Sequence, residues 1–151
     1  MYQKILVPLD GSALAECVLP HVKAIAKGCS PTEIVLLRVV EHIPIWAAAG
    51  IDYTAAENAD AREAESYLAK IQAQLSSEGF NAKSEILRGQ HKAAEAISEF
   101  TQHNAVDLLA IATHGRSGIS RWVFGSVADK LLRCSPIPVL LIRPRGYESG
   151  I

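Results

Sequence analysis

At 151 residues the chain has the length of one domain, and residues 1–151 are read as a single one. Hydrophobic residues make up 49% and charged residues 21%, which excludes a disordered chain and fits a packed globular core. With 15 basic and 16 acidic residues the net charge is −1, so a nucleic-acid partner is not expected, since such a surface needs basic excess.

In chain order, Ile5–Leu9 is an aliphatic run closed by Asp10 and Gly11, which predicts a buried strand. Ser12 is expected to cap a helix running to Lys27, with Ala15, Val18, Leu19, Val22, Ile25 and Ala26 facing inward. Pro20 falls inside that pattern and predicts a kink or an irregular turn. Glu33–Val40 reads as a second strand, apolar on both faces. The stretch from Glu41 to Ala56 has no clear period. From about Glu57 to Ser77 the spacing of Ala64, Leu68, Ile71 and Leu75 predicts a helix, which Gly79 ends. Ala82–Leu87 alternates with Lys83 and Glu85, so an edge strand is expected there. A short helix carries Ala93, Ala96, Ile97 and Phe100. Val106–Ala112 is a strand, Val127, Leu131 and Leu132 mark a last helix, and Val139–Ile142 a last strand. Strands alternating with helices predict an α/β fold with a parallel sheet covered on both faces.

In such a sheet a ligand sits beyond the carboxyl ends of the strands, where the winding reverses. The first strand ends in Pro8-Leu9-Asp10-Gly11-Ser12 and the fourth in Ala112-Thr113-His114-Gly115-Arg116-Ser117-Gly118. If those strands are neighbours, both loops face one crevice. Glycines without Cβ let backbone N–H groups approach phosphate oxygens. Gly125-Ser126 opens a helix, whose free N–H groups and positive dipole end favour an anion. Arg116 and Arg121 add positive charge, and Asp10 is suited to accept from a ribose hydroxyl or an adenine amino group. Ser126 and Asp129 also have the spacing of a capping box.

The opening KILVPLDGS, the second strand IVLLRVVE and the block from Ala112 to Arg143 together resemble the universal stress protein family along nearly the whole chain. The last block is similar to the family's ATP-binding type, whose loop follows G-x2-G-x9-G-[ST]. Its second glycine falls on Gly115 and its last on Gly125, followed by Ser126. Its first falls on Ala112, where alanine fits as long as φ stays negative. Gly118 lies outside the pattern and is read as turn-making.

The resemblance implies a Rossmann-like, open, parallel five-stranded sheet of order 3-2-1-4-5 with helices on both faces. It implies ATP as ligand, with Mg²⁺ held mainly through phosphate oxygens. Pro8 and Asp10, with Leu9 between them, would lie at the adenosine and Val39 beside the adenine. Ala112, Gly115, Gly125 and Ser126 would surround ribose and phosphates, with Arg116 and Val127 next to them. It further implies a stress-response binding or signalling module and a homodimer through Val139–Ile142. That strand would be an apolar sheet edge, and such an edge is a pairing template. Pro138, Arg143, Pro144 and Arg145 are the residues that could guard it instead.

Two other readings stand beside nucleotide binding: a scaffold that works through protein contacts alone, and a slow adenine-nucleotide hydrolase using Asp10. Hydrolysis is expected to be weak at most, because no general base is evident and the loop lacks a lysine. Cys17, Cys29 and Cys134 are too few and too widely spaced for a disulfide framework or a zinc site, and a cytoplasmic location is expected. No apolar stretch approaches the ~20 residues of a membrane span, so no membrane partner is expected. His114 is read as shaping its turn, Cys134 as a small core residue, and Glu41 and Asp52 as solvated loop charges.

Overall fold

The computed structural model describes residues 1–30, 32–42, 50, 52–89, 91–114 and 125–145. The apolar runs satisfy their backbone donors and acceptors by pairing with each other. They form β1 (Lys4–Pro8), β2 (Glu33–Glu41), β3 (Asn81–Gly89), β4 (Leu108–Ala112) and β5 (Val139–Ile142). The sheet order is β3-β2-β1-β4-β5, and every neighbouring pair is parallel. This is the order expected from the resemblance.

Successive side chains of each strand point to opposite faces, so the unbroken apolar runs feed two cores. Ile5 and Val7 of β1, Ile34 and Leu36 of β2, and Leu108 and Ala110 of β4 enter one core. There they meet Val22 and Ala26 of α1 (Leu19–Gly28) and Leu68, Ile71 and Leu75 of α2 (Tyr53–Ser77). Leu6, Val35, Leu37, Leu109 and Ile111 point the other way. They meet Ala94 and Ile97 of α3 (Ala93–His103) and Ala128 and Leu131 of α4 (Ser126–Cys134). The chain therefore winds outward over one face and returns over the other. The reversal falls between β1 and β4, which pair through Ile5 with Leu108 and Leu6 with Leu109.

Several boundaries differ from expectation, each for an identifiable physical reason. The first helix starts at Leu19 rather than after Ser12, and a 3-10 turn covers Ala15–Val18. Pro20 lacks an N–H and is tolerated only in a first helical turn, so it sets where α1 begins. α2 begins at Tyr53, because the Asp52 carboxylate accepts from the Ala55 N–H at 3.2 Å. β4 begins at Leu108 rather than Val106. Asp107 instead accepts the N–H groups of Gln3 and Lys4, both at 2.9 Å, and ties β4 to the start of β1. Cys134 is exposed and Leu132 is 46% exposed, since α4 turns Ala128 and Leu131 to the core and its last turn outward. β3 is an edge, as its polar alternation predicts. No helix among the described residues is long and apolar enough to cross a membrane.

Candidate functional site

At the reversal point the carboxyl ends of β1, β2 and β4 and the first turns of α3 and α4 enclose a cleft of about 290 Å³. Pro8, Leu9, Asp10, Val39, Ala112, Gly125, Ser126 and Val127 all line it. Gly115 and Arg116, the other two expected site residues, lie outside the described residues, as do Gly118 and Arg121. The turn after β1 and, of the loop after β4, Thr113 and His114 thus share one crevice. Arg38, Ala93, Ile97, Thr113 and His114 also line it. Of these, Arg38 had a readable signal: it is a charge set within the apolar run from Ile34 to Val40 of β2.

The β1 side is a tight polar turn. Gly11 adopts φ +86°, a conformation that costs glycine little. This lets the Ser12 N–H and Oγ–H both donate to Asp10 Oδ1, at 2.9 and 2.6 Å. The Ala15 N–H donates in turn to Ser12 Oγ at 3.2 Å. Behind this turn the Tyr67 hydroxyl donates to Glu16 Oε1 at 3.0 Å. Burial, with the Glu16 carboxylate beside it, pushes the Tyr67 hydroxyl well above its ordinary value and keeps it a neutral donor.

The β4 side joins the strand to the α4 N-terminus. Ala112 is the last, extended residue of β4 and is buried. The buried Thr113 donates its N–H to the Ile142 carbonyl at 2.8 Å, and its own carbonyl accepts from the Gly125 N–H at 2.8 Å. Its hydroxyl lies 2.9 Å from His114 Nδ1, so His114 both shapes the turn and faces the cleft. A Cβ on Gly125 would stand 3.3 Å from the Thr113 carbonyl oxygen, tighter than ordinary packing allows.

The helix N-termini differ in how they are capped. Asp52 caps α2, and Glu41 reaches from the end of β2 to the Ala93 N–H of α3 at 2.9 Å. The two acids expected as solvated charges therefore serve helix ends. α4 starts after Gly125, which has no capping side chain. Ser126 is the first helical residue rather than the cap, and Asp129 pairs with Arg133 at 3.1 Å, so the expected capping box does not form. The N-terminal turn of α4 presents its dipole to the cleft.

The family model described as the universal stress protein family matches residues 1–143. A curated universal stress protein of Methanocaldococcus jannaschii, MJ0577, is 30% identical over 97% of this chain and 98% of its own. A solved structure of MJ0577 superposes with a TM-score of 0.85 and covers 97% of this chain and 99% of its own. A universal stress protein from Archaeoglobus fulgidus in complex with dAMP is 19% identical, with a TM-score of 0.70 and coverage of 93% and 98%. An Arabidopsis thaliana member with AMP bound is 17% identical, with a TM-score of 0.70 and coverage of 95% and 93%.

Proposed function

The chain belongs to the universal stress protein family, and from that premise we propose that it binds an adenine nucleotide, ATP with Mg²⁺, in the cleft at the β1/β4 reversal. The observation that carries this reading is the α4 N-terminus: it opens on the cleft behind a glycine whose Cβ would crowd Thr113, and among the described residues no side chain caps it. Fixed N–H donors at a helix start suit phosphate oxygens. Two relatives of the same fold hold AMP and dAMP, which supports an adenine nucleotide as the class of ligand.

In this reading Val39 and Pro8 give the base an apolar bed, and Asp10 accepts from a ribose hydroxyl or the adenine amino group. Ser126, the Val127 N–H and Gly125 hold phosphate oxygens, joined by Gly115 and Arg116 of the loop, and Leu9 and Ala112 form the floor. The volume of about 290 Å³ is at the small end of the ~300–1,000 Å³ typical of ligand pockets, which suits an adenosine-sized group with its phosphates extending along α4. Mg²⁺ adds charge neutralisation on the phosphate oxygens. Two copies of the chain pair through β5, and the pair acts as a cytoplasmic binding or signalling module whose hydrolysis is weak at most.

Calorimetric titration of the purified protein with Mg-ATP tests the reading. Saturable heat with a stoichiometry of one per chain is expected. The absence of both heat and a thermal shift at millimolar nucleotide would refute it.

A further inference from the structure

A second cavity, of about 310 Å³, lies along the other flank of α3. Ala93 and Ile97 of that helix line the cleft, whereas Ala96 and Phe100 line this groove, together with Leu87 of β3. Val39 lines both, so the two spaces meet at that side chain. The groove's apolar residues, Val39, Leu87, Ala96 and Phe100, are all half-buried and still have apolar surface to lose. Its ionisable residues, Arg88, His91, Glu99 and His103, are all exposed. Arg88 is drawn toward Asn58 and Glu65 of α2, at 3.4 and 3.6 Å, and His103 Nδ1 lies 2.9 Å from the Glu99 carbonyl oxygen. The floor of the groove therefore suits an uncharged, apolar group.

We propose that this groove is a subsite for a substituent on the base: the chain takes adenine nucleotides whose 6-amino group carries a planar apolar group, which passes Val39 and lies on Leu87 and Phe100. The proposal rests on the nucleotide reading and narrows its class of ligand. In that reading phosphates held at α4 place the base on the β2 side of the cleft, beside Val39. The 6-amino group is on the edge of adenine remote from the ribose, so it is the part of the ligand that faces the groove. A singly substituted amine keeps one N–H, so its capacity to donate is retained. The groove matches the cleft in volume, and the pair can enclose a ligand larger than an adenine nucleotide alone.

The test measures Kd for Mg-ATP and for its derivative benzylated on the 6-amino group, on the wild-type chain, Ala96→Leu and Ala96→Phe. Ala96 lines the groove and not the cleft, and the two variants fill the groove to increasing depth. The wild type should bind the benzyl derivative about tenfold more tightly than ATP, because its ring leaves water. That preference should shrink in Ala96→Leu and vanish in Ala96→Phe, with the Kd for ATP unchanged. A wild type that binds ATP but gains nothing from the benzyl group overturns the proposal. So does a preference that survives in both variants, since the ring then lies elsewhere. A wild type that binds neither nucleotide overturns both this proposal and the nucleotide reading, so the two failures are told apart. Melting midpoints of both variants show that each chain is folded.

Discussion

Gly125 is held by space rather than by backbone conformation. Its φ of −52° is open to any residue, yet a Cβ would meet the Thr113 carbonyl at 3.3 Å. That carbonyl already accepts the Gly125 N–H at 2.8 Å, so it cannot withdraw without breaking the link between β4 and α4. Alanine at this position needs a shift of a few tenths of an ångström. Valine adds two methyl groups and must push the first turn of α4 out of register with the cleft. Affinity for Mg-ATP should therefore fall in the order wild type, Gly125→Ala, Gly125→Val, with valine losing at least about tenfold. Equal affinity in the valine variant would contradict the placement of phosphate at this helix end. Ala112 illustrates the opposite case. It stands where the family pattern has its first glycine, but it ends a strand with extended backbone, so its Cβ brings no conformational strain. Thr113 was harder to find from its residue type alone, whereas Arg38 stood out as a charge within an apolar run. The cleft collects Arg38 because β2 is the third strand to reach it, and Thr113 because it follows the last residue of β4.

At the scale of elements, an end set by a turn glycine follows the sequence closely, and an end set by distant contacts does not. The close of α2 is of the first kind. Gly79 takes φ +88°, the Gly79 N–H reaches the Ser76 carbonyl, and the Phe80 N–H reaches that of Leu75, both at 3.0 Å. Nothing lies within 4 Å of a Cβ built on Gly79, so the cost of a side chain there is conformational alone. Gly79→Ala should destabilise the fold by about 1 kcal/mol, a fall of roughly 2–4 °C in Tm for a domain of this size, read by thermal unfolding. A variant as stable as the wild type would show that the helix end rearranges. The start of β4 is of the second kind. Asp107 leaves the apolar run to bind the N–H groups of Gln3 and Lys4, more than a hundred residues earlier, and no local pattern signals that partner. The same holds for Glu41, whose acceptor role depends on where α3 begins. The alternation of strands and helices and the edge position of β3 were legible, while the pairing of β1 with β4 stood as a condition at the residue level and came as an expectation from the family resemblance. The first two follow from side-chain periodicity.

For the molecule as a whole, the sheet order leaves two edges, and they differ in character. β3 exposes Lys83 and Glu85, charges that discourage pairing with another chain. β5 is Val139-Leu140-Leu141-Ile142, half-buried throughout and without a charge. Its inner edge pairs with β4, so its outer N–H and C=O groups face away from the sheet. A two-fold axis beside β5 would bring it against its own copy as an antiparallel pair and satisfy both strands at once. Such a pair would join two sheets into one and leave both clefts accessible, because each cleft lies at the strand ends around β1 rather than along the β5 edge. The wild-type chain should therefore sediment as a dimer at micromolar concentration. Leu141→Lys, which places a charge opposite its own copy, should shift it to a monomer that still binds Mg-ATP. Lys83→Ala on the charged edge should leave the dimer intact. A wild type that stays monomeric at those concentrations would mean that Pro138 and Arg143, which flank the strand, are enough to guard it.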